Sequence, residues 1–138
     1  MTFKPVFVTN QPGFEKKRIL VIDDNRNILD IAEQWLVDSG FEVTVTDSGG
    51  DGLARALANP PDIVLTDIIM PEMDGIQVIG HLRQRFPHIL IVAMSGGGTK
   101  LSAHTVLNLS QKIGASRILN KPFSRSDLIA AVSEDSNN

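Results

Sequence analysis

At 138 residues, 42% hydrophobic and 21% charged, the chain is long enough for one well-buried core and too short for two ordinary domains. Its formal net charge of −3 argues against nucleic acid as the main partner, because holding a phosphate backbone needs a concentrated positive field. With no cysteine there is neither a disulfide framework nor a thiolate metal site, and no apolar run approaches the ~20 residues that span a bilayer.

The opening stretch MTFKPVFVTNQPGFEKKR lacks the uninterrupted apolar core of a secretory signal, so a cytoplasmic location is expected. Residues 1–17 carry two prolines and the charged run Glu15-Lys16-Lys17, and read as a poorly ordered lead-in to a domain over 18–133. Arg18–Ile22 is the first β-type run, and Asp23 and Asp24 follow it. Ile28, Ile31, Ala32 and Trp35 then fall at i, i+3, i+4 and i+7, the apolar face of a helix that Gly40 can end in a left-handed conformation. After a second run, Glu42–Thr46, Ser48 and Asp51 have the spacing of a capping box that opens another helix. The third run, Ile63–Thr66, leads to Asp67 in IVLTDIIMPEMDG. Ile79, Leu82 and Phe86 mark a third helix, stopped by Pro87. The fourth run, Ile89–Met94, is followed by Ser95. Val106, Leu109 and Ile113 mark a fourth helix, stopped by Gly114. Arg117–Leu119 leads to Lys121 in ILNKPF, and Ser124 with Asp127 caps the last helix. Residues 134–138 read as a tail, and no second domain is expected beyond it.

Five β-then-α repeats of this length predict an α/β fold, a doubly wound (βα)5 parallel sheet with strand order 2-1-3-4-5. In such a sheet the C-terminal strand ends converge on one crevice. Asp23, Asp24, Asp67, Ser95 and Lys121 all stand at those ends. Three carboxylates so close together repel and need compensation. Lys121 supplies one positive charge, and Mg²⁺ suits a site of few oxygen ligands and several waters. That leaves one carboxylate to act as an oxygen nucleophile toward a phosphoryl group. Asp67, on the central strand, is the best candidate for this acceptor. The glycine-rich stretch SGGGTK after the fourth strand is not a nucleotide cradle. A P-loop needs glycine before the lysine and Ser or Thr after it, whereas Thr99 precedes Lys100 and Leu101 follows. Ser95 and the Gly96 amide fit a single phosphoryl group instead.

The acidic pair, Asp67 followed by MPEMDG, Ser95 and the Lys121-Pro122 pair, all in order, make the span from Lys17 to about Val132 resemble a receiver domain of a two-component response regulator. The resemblance implies that Asp67 takes its phosphoryl group from the phosphohistidine of a histidine kinase or phosphotransfer protein. It implies Mg²⁺ on Asp24, Asp67 and the backbone carbonyl of Ile69, with Asp23 helping chiefly through water. Ser95 and Lys121 would bind phosphoryl oxygens beside the backbone of Ile68 and Gly96, and the Lys121–Pro122 bond would be cis. A protein acting through an unspecified downstream protein target, rather than an enzyme, is the expectation.

Three positions depart from the family. Ile118 stands where many members carry an aromatic switch residue, and Ile69 and Gly97 replace polar side chains that orient hydrolytic water. Slow loss of the phosphoryl group is therefore expected. So is transmission through the loop from Ser95 to Ser102 and the helix after it. Rival readings fit less well. A haloacid-dehalogenase-like phosphohydrolase needs an acid where Ile69 stands. A flavodoxin-like site would have Asp23 and Asp24 repelling its phosphate. A degenerate receiver, binding without phosphorylation, would not need all five site residues. Adjacent aspartates often merely cap a helix, Asp74-Gly75 is ordinary turn chemistry, and Trp35 reads as core packing. His81, His88 and His104 lack ligand spacing and read as surface residues.

Overall fold

Short runs of aliphatic and β-branched residues become five strands: β1 (Arg18–Ile22), β2 (Glu42–Thr46), β3 (Ile63–Asp67), β4 (Leu90–Ser95) and β5 (Arg117–Asn120). The structure, a computed structural model, describes residues 16–70, 75–96, 108, 111, 112 and 114–133. The strands form one parallel sheet in the order β2-β1-β3-β4-β5, as the sequence predicts, in the register Ile19↔Ile63, Ile63↔Leu90 and Val92↔Arg117. All five residues of β3 are buried, whereas β2 at the edge alternates with Glu42 and Thr44 exposed. That contrast follows from position: a central parallel strand is covered on both faces, and an edge strand is not.

Among the described residues, cover comes from α1 (Arg26–Asp38), α2 (Gly49–Ala58), α3 (Gly75–Arg85) and α4 (Arg125–Val132). Leu20, Ile22, Val64 and Ile91 pack with Ala56 of α2 and Val78, Ile79 and Leu82 of α3. On the other face Ile19, Val21, Leu65, Val92 and Met94 pack with Leu29, Ala32 and Leu36 of α1 and with Leu128 and Val132 of α4. The sheet is thus wound on both sides, and its two apolar layers fix the height at which every strand ends.

The buried row of α1 is Leu29, Ala32 and Leu36, one residue round from the expected stripe. Ile28, Ile31 and Trp35 are half-buried instead, and Trp35 meets Phe123 edge-on with ring centroids 6.3 Å apart. Both rows satisfy the 3.6-residue period, so period alone does not find the centre of a wide apolar arc. Asn25 is the N-cap, accepting from the amides of Asn27 and Ile28, so Asp24 is left free of that role. Ser48 accepts from the Asp51 amide, but the Asp51 carboxylate turns to Arg55, leaving half a capping box. Ser124 and Asp127 make the complete one. Gly40 has φ +99°, as expected of a left-handed helix stop. Asn108, Gln111 and Lys112 are helical and exposed, while Val106, Leu109 and Ile113 lie outside the described residues. None of the described helices is long and apolar enough to cross a membrane.

Candidate functional site

The strand ends bring the expected residues together. Asp23 follows β1 and is wholly buried; its amide extends the sheet to the Thr46 carbonyl at 3.2 Å, and its Oδ1 accepts from the Asn25 amide at 2.9 Å. Asp24 points out to solvent at the mouth. Asp67 is the last residue of β3 and is 8% exposed. The Lys121 amide donates to the Ser95 carbonyl at 2.8 Å, which ties the end of β5 to the end of β4. From there the Lys121 ammonium reaches Asp23 Oδ2 at 2.6 Å and Asp67 Oδ1 at 3.3 Å. The Lys121–Pro122 bond is cis, as the resemblance implied. Ser95 is buried at the end of β4, and a Cβ on Gly96 would lie 3.7 Å from Lys121 Cδ.

One carboxylate oxygen from each of Asp23, Asp24 and Asp67 can be chosen so that all lie within 4.8 Å of one another. This all-oxygen donor set, two members buried and one exposed, fits a hard divalent cation that keeps waters on its open side. One lysine cannot neutralise three carboxylates, and the strain appears at Asp67. Burial first, then the charge of Asp23, push the pKa of Asp67 up to about 6 from 3.8, against the opposing charge and hydrogen bond of Lys121 and the Ile68 amide. The Ile68 amide also donates to the Met94 carbonyl at 3.1 Å, so it serves the carboxylate as a shared donor.

The chain beyond Asp67 holds two features that pattern reading missed. Gly75, read as turn chemistry, has its Cα against the Asp67 backbone: a Cβ there would lie 1.9 Å from the Asp67 carbonyl oxygen. Its amide donates to the Ile68 carbonyl at 2.8 Å. Thr66, wholly buried, donates its hydroxyl to the same Asp67 oxygen at 3.0 Å. Ile69 is 45% exposed. Residues 71–74 and Gly97 lie outside the described residues. His81 is exposed on α3, His88 is exposed before β4 at the opposite edge of the sheet, and His104 lies outside the described residues.

Comparison with known proteins shows the family and the fold. The family model described as response regulator receiver domain matches residues 19–133. The alkaline phosphatase synthesis transcriptional regulatory protein PhoP of Bacillus subtilis (strain 168) is 32% identical over 119 residues, covering 84% of this chain and 47% of that protein. This chain therefore spans about half the length of that curated relative. A receiver domain protein from Clostridium thermocellum superposes with a TM-score of 0.78 at 31% identity, covering 88% of this chain and 94% of the other. A CheY-like receiver domain protein from Methanospirillum hungatei JF-1 gives 0.80 at 28% identity, covering 89% and 95%.

Proposed function

The chain belongs to the response regulator receiver domain family, and on that premise we propose that it is a phospho-acceptor switch in which Asp67 receives the phosphoryl group. The donor is the phosphohistidine of a histidine kinase or phosphotransfer protein. An oxygen of the Asp67 carboxylate attacks phosphorus in line, the P–N bond breaks, and its electron pair returns to the imidazole, which takes up a proton. The observation that carries this reading is Lys121. Its ammonium is anchored on buried Asp23 at 2.6 Å while standing 3.3 Å from Asp67, so a fixed positive charge already faces the reacting carboxylate.

Mg²⁺ would be held by Asp24, Asp67 and the Ile69 carbonyl, with Asp23 nearby, and when bound it would offset negative charge on the transferred group. Ser95 donates its hydroxyl to a phosphoryl oxygen, Lys121 binds another, and the Gly96 amide completes the cradle, while the Ile68 amide, proposed beside it, is held by the Met94 carbonyl at 3.1 Å. Each of these donors faces charge that grows during transfer, which is where preorganised dipoles lower a barrier. The folded unit is residues 18–133, its location is cytoplasmic, and its output is a protein–protein contact that changes with phosphorylation.

Acetyl phosphate with Mg²⁺ tests the assignment without a known kinase. Intact-protein mass spectrometry should show one phosphoryl adduct on the parent chain and none on Asp67→Asn. An adduct of equal yield on that variant would refute the acceptor.

A further inference from the structure

We propose that Thr66 is a positioning residue for the acceptor, gripping the Asp67 carbonyl oxygen that Gly75 also packs against. The inference rests on the acceptor reading above and deepens it.

The β1–β3 ladder runs in register as far as Ile22↔Thr66 and stops there. Asp67 therefore carries its carbonyl one step beyond the paired part of β3 on that side. A buried carbonyl without a donor is costly, so something must serve it. The Thr66 hydroxyl does so at 3.0 Å, from a side chain with no exposed surface. The Gly75 Cα also lies so close that any side chain would strike this oxygen, and Gly75 then ties the next carbonyl, that of Ile68, through its amide at 2.8 Å. Meanwhile the Ile68 amide is held by Met94 at 3.1 Å.

Two consecutive peptide units, Asp67–Ile68 and Ile68–Ile69, are thus fixed at oxygen, nitrogen and oxygen in turn. These units carry the acceptor carboxylate, the Ile68 amide beside it and the start of the residue whose carbonyl is proposed to face the metal. A hydroxyl bond to one oxygen accordingly sets three functional groups at once. A merely structural role for Thr66, filling space and satisfying its own hydroxyl, would instead cost stability and leave those groups where they are.

The test uses Thr66→Val, which keeps the volume and removes the donor, and Thr66→Ser, which restores it. In the full chain, Thr66→Val should slow phosphorylation by acetyl phosphate about tenfold and weaken Mg²⁺ binding several-fold, since small misplacements are expensive in group transfer. Thr66→Ser should return both to within about twofold. Amide exchange at Ile68 and Gly75 should quicken in Thr66→Val and not in Thr66→Ser, a readout that needs no phosphorylation. If the parent itself takes no phosphoryl group, the acceptor reading fails, and the exchange and Mg²⁺ arms still decide the grip. Lower thermal stability in Thr66→Val with unchanged exchange, Mg²⁺ binding and phosphorylation rate would overturn the proposal.

Discussion

The two edges of the sheet treat charge in opposite ways. At the C-terminal edge, Asp23, Asp24 and Asp67 face each other beside Lys121, and burial first, then the charge of Asp23, raises the pKa of Asp67 to about 6. At the N-terminal edge three arginines, Arg18, Arg83 and Arg117, donate to carbonyl oxygens at the ends of helices. Arg18 donates to the Asn59 carbonyl at 3.2 Å, the Asn59 side chain at 2.8 Å and the Pro60 carbonyl, closing α2. Arg117 reaches the carbonyls of Ala131 at 2.8 Å and Ser133 at 2.6 Å, closing α4. Arg83 donates to Gly114, Pro87 and Ile89 carbonyls at 3.0, 2.9 and 2.8 Å and to the Ser116 hydroxyl at 3.1 Å. It thereby binds the end of α3 to the segment that leads into β5. Helix C-termini leave carbonyls unpaired and carry negative dipole ends, so a guanidinium fork satisfies both needs. One edge gathers carboxylates beside a lysine, and the other sets guanidinium groups against helix ends.

The largest effect should come from removing the cation that faces Asp67. Lys121→Met takes away the charge facing Asp67 and leaves wholly buried Asp23 beside it without a counter-ion. Phosphorylation by acetyl phosphate should fall about 100-fold or more, the scale for loss of a preorganised electrostatic group. A rate within threefold of the parent would show that the crevice is already balanced without the lysine.

Next in size is a gain. With Asp67 titrating near 6 in the folded state and at 3.8 unfolded, the folded chain binds that proton more tightly. The stability associated with protonated Asp67 is complete below pH 3.8 and lost as the pH rises through about 6. A shift of this size amounts to about 3 kcal/mol. Asp67→Asn, neutral throughout, should therefore be more stable than the parent by about that much at pH 8 and no more stable near pH 3, in urea melts with a chelator present. Equal midpoints at pH 8 would mean that the acidic edge carries no strain.

The arginine edge predicts the reverse pattern. Arg83→Met strands several carbonyls and the Ser116 hydroxyl, and should cost about 2 kcal/mol, in line with lost bonds to a charged donor. Gly114 is tied to the same residue: its φ is +121°, and a Cβ would lie 2.6 Å from Arg83 Cγ. Phosphorylation of the folded fraction should be unchanged in Arg83→Met. A tenfold slower rate would erase the distinction between the edges.

Much of this division could be read before any coordinates. The strand ends announced themselves because apolar runs stop abruptly at Asp23, Asp67 and Ser95, and parallel topology then forces those residues together. What stayed hidden were contacts without a period. The Thr66 hydroxyl bends to the next residue's carbonyl, and Gly75 is excluded from having a side chain by a backbone eight positions earlier. Lys121 was expected to face Asp67, yet it sits closer to Asp23, because the wholly buried carboxylate has the greater need of a counter-ion. The arginine contacts have no sequence signal of their own, since Arg18 and Arg117 lie far in sequence from the helix ends they reach.

The smallest effect concerns how long the phosphoryl group stays. Hydrolysis of an acyl phosphate on Asp67 needs a water held in line with phosphorus, and orientation of that kind governs much of the rate. Ile69 stands two residues beyond the acceptor, 45% exposed, so its side chain is open to solvent and offers the water neither donor nor acceptor. Ile69→Asn places an amide there without disturbing the buried layers, because Ile68 and Met70 on either side are the residues that pack inward. The phosphorylated variant should lose its group a few-fold faster, about 1 kcal/mol at most, since one partner for the water is supplied and position 97 still offers none. Decay of the adduct followed by mass spectrometry after the donor is removed measures this directly. An unchanged half-life would place the control of hydrolysis elsewhere at the acidic edge, while the arginine edge, untouched by the substitution, should leave the melting temperature where it was.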